Sequence, residues 1–199
     1  MLHKEITSEL NNCIEKMEDW FKSETVIYLD CVINGSSSDS DYTLDAASRN
    51  IELDIEFRKL YYGVEADVDE YLKGNSDDII ESFGEKLRLL RTQNDERCGK
   101  IGTSADKTMR LEKCMEEIAK WFQNDTLAFL ERVLTDDRDD PEYSACTVCK
   151  NLDLVVEFQR LFYGNNYRDI SDYLIKNGYS VDRIDLLNHL KIKEEQERS

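Results

Sequence analysis

The chain of 199 residues has one proline, Pro141, and eight glycines. So few breakers disfavour a sandwich or a barrel and favour long helices. Histidine is scarce too, with only His3 and His189, both near the ends. General acid–base catalysis most often uses histidine, so no catalytic residue is assigned. No apolar run approaches the roughly 20 residues needed to cross a bilayer. Glu5, Glu9, Asn11 and Asn12 interrupt the start of the chain, so a signal peptide is not expected and the chain reads as cytoplasmic or nuclear. Positive charge is also short: 26 Lys and Arg against 43 Asp and Glu leave a net −17. Such a surface repels phosphate backbones and anionic lipids, so direct nucleic-acid or membrane binding is not expected. A basic partner is compatible with it, and so is a merely well-solvated surface.

Apolar residues make up 40% and aromatics 10%, enough to place the chain outside the disordered class. Six cysteines stand at 13, 31, 98, 114, 146 and 149. In a reducing compartment they read as buried thiols rather than disulfides. Asn34-Gly35-Ser36 and Asn124-Asp125-Thr126 fit the glycosylation acceptor pattern, which means nothing without export.

The chain repeats itself at an offset of 101. Cys13 to Trp20-Phe21 matches Cys114 to Trp121-Phe122. Ile51 through Phe57, Leu60, Tyr62 and Gly63 matches Leu152 through Phe158, Leu161, Tyr163 and Gly164. Thr25, Leu29, Val32 and Tyr42 match Thr126, Leu130, Val133 and Tyr143 without a gap. After a small insertion Asp67, Tyr71 and Leu72 match Asp169, Tyr173 and Leu174. The expected fold is all-α: a tandem duplication of a four- to five-helix bundle unit, with repeats at 1–90 and 108–199 and a polar linker at 91–107. The unit is too long for tetratricopeptide, ankyrin or HEAT repeats and lacks their signatures.

Within each unit the first helix covers about 5–22, on the stripe Ile6, Leu10, Cys13, Met17 and Trp20 with Ile14 and Phe21. Its copy uses Leu111, Cys114, Met115, Ile118, Trp121 and Phe122. Ser23 and Asn124 or Asp125 read as caps or kinks before a second apolar stretch, Val26–Ile33 or Leu127–Leu134. Polar loops follow, 34–41 and 135–142. A long helix spans about 43–62 and 144–163, with Gly63 and Gly164 where a left-handed cap is expected. A short helix carries Val68, Tyr71 and Leu72, or Ile170, Tyr173 and Leu174. A last helix carries Ile80, Phe83 and Leu87, or Ile184, Leu187 and Leu190, with Ser76 or Ser180 as N-cap.

The long helix is apolar on two opposite sides. At about 100° per residue, Leu53, Phe57, Leu60 and Tyr61 share one face, and Leu44, Ser48, Ile51, Ile55 and Tyr62 the other. The second copy sets Leu154, Phe158, Leu161 and Phe162 against Ala145, Cys149, Leu152, Val156 and Tyr163. Three accounts compete: the helix is central in its own unit, the second faces join the two repeats or two chains, or they form a groove for a partner helix or peptide. The candidate partner-binding residues are therefore Leu44, Ile51, Ile55, Tyr62, Leu152, Val156 and Tyr163.

Chemistry-bearing patterns are few. Cys146 and Cys149 are the one close cysteine pair, but zinc needs four ligands, and the first repeat has Asp45 and Ser48 there. Packing is the plainer reading, and Cys13 and Cys114 likewise read as core. The acidic run Asp136 to Asp140 lacks the glycine and ligand spacing of a calcium loop. Gly99 to Ser104 lacks the lysine placement of a phosphate loop. Glu56 and Glu157 read as ion-pair or partner-contact residues rather than catalytic carboxylates, with Arg58, Lys59 or Arg160 nearby. No metal or cofactor is expected. The leading expectation is a non-catalytic adaptor or scaffold subunit that presents helical apolar and acidic surfaces to another protein, with a homodimer compatible. The alternatives are an acidic inhibitor or nucleic-acid-mimic decoy binding a basic protein site, and an enzyme with an unrecognised site, for which Cys146 and Cys149 are the candidates.

Overall fold

The stripe Leu10, Cys13, Ile14, Met17 and Phe21 recurs every three or four residues. In the computed structural model it is buried along a single helix, α1 (Ser8–Ile33). The structure describes residues 7–33, 43–63, 104–135 and 144–198. Among them every element is helical: α1, α2 (Leu44–Tyr61), α3 (Ser104–Thr135), α4 (Ala145–Phe158), a π-helical turn (Gln159–Tyr163), α5 (Ile170–Lys176) and α6 (Val181–Glu197). No described helix is long and apolar enough to cross a membrane.

No helix start falls at Ser23 or at Asn124 or Asp125, so the capping reading is corrected; α1 and α3 continue through these positions. The apolar stripe explains why. Phe21 and Leu29 are buried on either side of Ser23, and Phe122, Leu130 and Val133 continue the stripe around Asn124. Ser23 and Asn124 face out, where a polar side chain costs a helix only tenths of a kcal/mol, roughly up to 0.7. α3 begins at Ser104, inside the segment read as linker.

The helix ends follow local chemistry. Thr43 caps α2 by accepting from the Ala46 amide at 3.2 Å. Ser144, 101 residues on, caps α4 by accepting from the Thr147 amide at 3.2 Å. Asp169 caps α5 through the Asp172 amide at 2.8 Å. Ser180 stands at the start of α6 as expected, but its side chain makes no capping bond. Gly63 (φ 70°) and Gly164 (φ 75°) take the left-handed conformation that ends the long helices. The helix of residues 145–158 reaches Gly164 through the wider π turn, and the Gly164 amide donates to Gln159 O.

The chain divides into two compact units: Met1–Met17 with Ala119–Ser199, and Glu18–Ile118. The first holds residues 8–17 of α1, the end of α3, and α4, the π turn, α5 and α6. Its core includes Leu10, Cys13, Ile14, Phe122, Leu152, Val155, Phe158, Tyr173, Leu174, Ile184 and Leu187. The second holds the rest of α1, α2 and the start of α3, with Phe21, Leu29, Ala47, Ile51, Phe57, Cys114 and Met115 buried. The readings at 34–41, 67–72, 76–87 and 136–142, and those on His3, Cys98 and Gly99, fall outside the described residues.

Candidate functional site

The seven candidate partner-binding residues differ in exposure. Ile51, Ile55 and Leu152 are buried, and Val156 is half-buried. The side chain of Leu44 is outside the described set. Tyr62 and Tyr163 are exposed, at 42% and 48%. Phe57 and Phe158, on the opposite face, are buried as well. The mid-sections of both long helices are therefore core, and their C-terminal tyrosines reach the surface.

Those tyrosines sit in closely matching ring clusters. Phe57 stacks on Tyr61 with centroids 4.9 Å apart, and Tyr62 meets both edge-on, at 6.0 Å from Phe57 and 4.9 Å from Tyr61. Phe158 stacks on Phe162 at 4.9 Å, and Tyr163 meets them edge-on at 5.8 and 5.0 Å. Edge-on and offset-stacked pairs are the favoured arrangements for aromatic quadrupoles, so each cluster holds its outer tyrosine in one orientation. The α-to-π difference at the helix ends leaves this geometry unchanged.

Sequence reasoning missed a buried charge cluster. Glu18 on α1 and Asp54 on α2 are 1% and 0% exposed, and Arg58, 24% exposed, bonds both. Its Nε lies 3.3 Å from Asp54 Oδ2, and its Nη2 donates to Glu18 Oε1. Burial pushes Glu18 up to about 8, with the Asp54 carboxylate beside it adding to the shift and Arg58 opposing it. Burial works against the Arg58 cation, but Asp54 and Glu18 outweigh it and raise its pKa. At offset 101 the corresponding residues are Ala119, Val155 and Gln159. All three charges are gone together, and Ala119 and Val155 are buried. Comparing the copies position by position was the signal that would have exposed the cluster.

The ion-pair reading of Glu56 is corrected in its partner. Glu56 accepts from Arg110 Nε at 2.8 Å, while Arg58 turns to Glu18. Glu157 approaches Arg160 at 3.8 Å.

Cys146 and Cys149 are buried one turn apart on α4. Burial pushes Cys149 up to about 11, and burial with the adjacent Glu194 raises Cys146. Cys13 and Cys114 are buried, and burial pushes each up to about 12. Thiols so placed stay protonated at neutral pH and are poor nucleophiles. Among the described residues no group of three or more His, Cys, Asp or Glu is placed to hold a metal ion.

Comparison of the chain with protein-family models, with curated proteins and with solved structures gives no match.

Proposed function

We propose that this chain is a non-catalytic protein–protein interaction protein, a tandem duplication of one helical bundle unit, and that it engages its partner through Tyr62 and Tyr163. The observation that carries this reading is the pair of matching ring clusters, each presenting an exposed tyrosine at the end of a long helix. Tyrosine supplies large contact area at low entropic cost and is enriched among residues that dominate binding energy. A tyrosine already locked by two neighbouring rings loses little further freedom when a partner covers it. The net charge of −17 adds a preference for a partner with basic rim residues, which speeds encounter more than it tightens the complex.

The test is an affinity capture from native extract with the full chain and with the Tyr62→Ser, Tyr163→Ser double variant, at low salt and at about 0.5 M salt. A stoichiometric protein retained by the wild type at both salts and lost by the variant supports the reading. A basic protein captured at low salt only, and equally by the variant, replaces it with the acidic-decoy reading, in which Asp and Glu do the binding. Helicity of the variant should match the wild type, because both tyrosines are exposed.

A further inference from the structure

The compact units and the sequence repeat do not share boundaries. The units change hands after Met17 and after Ile118, and 118 − 17 = 101, the offset of the repeat. Each unit therefore contains the first part of one copy's opening helix and the remainder of the other copy.

The contacts inside each unit agree. In the first, Cys13 Sγ donates to the carbonyl of Leu154 on α4 at 3.4 Å. Leu10, Cys13, Ile14 and Met17, the whole inward stripe of that helix segment, are buried. In the second, Arg110 of α3 bonds Glu56 of α2, and Cys114, Met115 and Ile118 are buried. Glu157 acts electrostatically on Cys13, and Glu56 acts on Cys114. Cys13 and Cys114 are equivalent, and so are Glu56 and Glu157, so the two dockings use one register crosswise.

We propose that the two halves of the chain are each other's obligate partners: helix 8–17 docks on α4 of the second half, and helix 104–118 docks on α2 of the first. Each long helix thus offers an acceptor surface for an amphipathic helix with a cysteine at its centre, and the occupant comes from the opposite half. The buried mid-sections of α2 and α4 then have a physical reason to be apolar on two sides, since one side receives a segment from the other half. Among the described residues, the core of each unit draws on both halves of the chain. Fast local pairing within one half is not enough to fold it, because the closing helix is supplied from far along the chain.

The test uses the full chain and hydrogen exchange read by mass spectrometry. Cys13→Asp places a charge against α4, and Cys114→Asp places one against α2. The crosswise arrangement requires C13D to speed exchange in 145–158 by about 10-fold or more while 44–61 stays within about twofold, and C114D to do the reverse. If the aspartate variants fail to fold, Cys13→Ser and Cys114→Ser should give the same crosswise pattern at smaller amplitude. Loss of protection in 44–61 on changing Cys13, with 145–158 spared, would overturn the proposal. Equal loss in both helices would overturn it too.

Discussion

Glu18 and Asp54 lie buried beside each other and share one cation, Arg58. Among the described residues no N–H or O–H donor reaches Asp54 Oδ1, and a proton on Glu18 is the donor the pair can supply to itself. Folded, Glu18 keeps that proton up to about pH 8, whereas an unfolded glutamate releases it near ~4.3. Between these values the folded state binds more protons, so stability is fully present at the acid end and is lost as pH rises through about 8. Glu18→Gln keeps a donor and removes the titration. In a Trp121→Phe background, Trp20 is the sole tryptophan and reports on the unit 18–118. Its urea midpoint should fall from pH 5 to pH 9 in the otherwise native chain and fall much less with E18Q. Parallel pH curves would show that Glu18 does not titrate in this window.

The residues at offset 101 state what the cluster can be replaced by. Arg58→Gln alone leaves two buried carboxyl groups without their cation and should cost about 3–5 kcal/mol. The triple change E18A, D54V and R58Q copies Ala119, Val155 and Gln159 and removes all three charges of the cluster. Well-packed apolar replacements of buried ion clusters are often neutral or stabilising by about 1–4 kcal/mol. The triple variant should therefore be much more stable than R58Q. Urea titration of both decides it: a triple variant as weak as R58Q would mean that the ions fill space nothing else fills.

Thr25 and Thr126, 101 residues apart, are fully buried and their hydroxyls find no hydrogen-bond partner among the described residues. A buried unsatisfied hydroxyl costs about 1–3 kcal/mol. Thr25→Val and Thr126→Val keep the branched shape and drop the hydroxyl. Each should raise stability by roughly 1 kcal/mol, the lower end of that range. A fall in the urea midpoint on either change would show that the hydroxyl is satisfied in solution.

The helical class and several ends were legible because they follow nearest-neighbour chemistry. Gly63 and Gly164 end the long helices with positive φ, and Cys13 and Cys114 lie in the core as their stripe position implies. Ser23 and Asn124 misled because capping residues act only where a helix starts, and the apolar stripe around them does not stop. Glu18, Asp54 and Arg58 were hidden because a charged residue on a helix reads as solvated until its burial is known. Glu56 finding Arg110 rather than Arg58 depends on a helix 54 residues away in sequence, a pairing that periodicity does not encode.

Glu194 of α6 closes the N-terminus of α4, and this contact controls both a helix and a thiol. Its Oε1 accepts from the Ala145 amide at 2.9 Å and its Oε2 from the Cys146 amide at 3.0 Å. With Ser144 taking the Thr147 amide, three of the first amides of α4 are satisfied by side chains. A carboxylate there also meets the positive end of the helix dipole. Glu194→Ala should cost about 1–2 kcal/mol, the range of a lost cap, and Glu194→Gln less, since one oxygen can still accept. Burial raises the Cys146 thiol first, and the Glu194 hydrogen bond and charge raise it further. Removing the carboxylate leaves the thiol at an uncompensated helix N-terminus, which favours thiolate. Alkylation of Cys146 by iodoacetamide, followed by mass spectrometry at pH 8, should quicken several-fold in E194A. Cys149, one turn further in, should change less, because Glu194 is the least of the groups acting on it. Equal acceleration at both cysteines would mean that the helix had simply opened, and the cap would then be structural without any specific hold on Cys146.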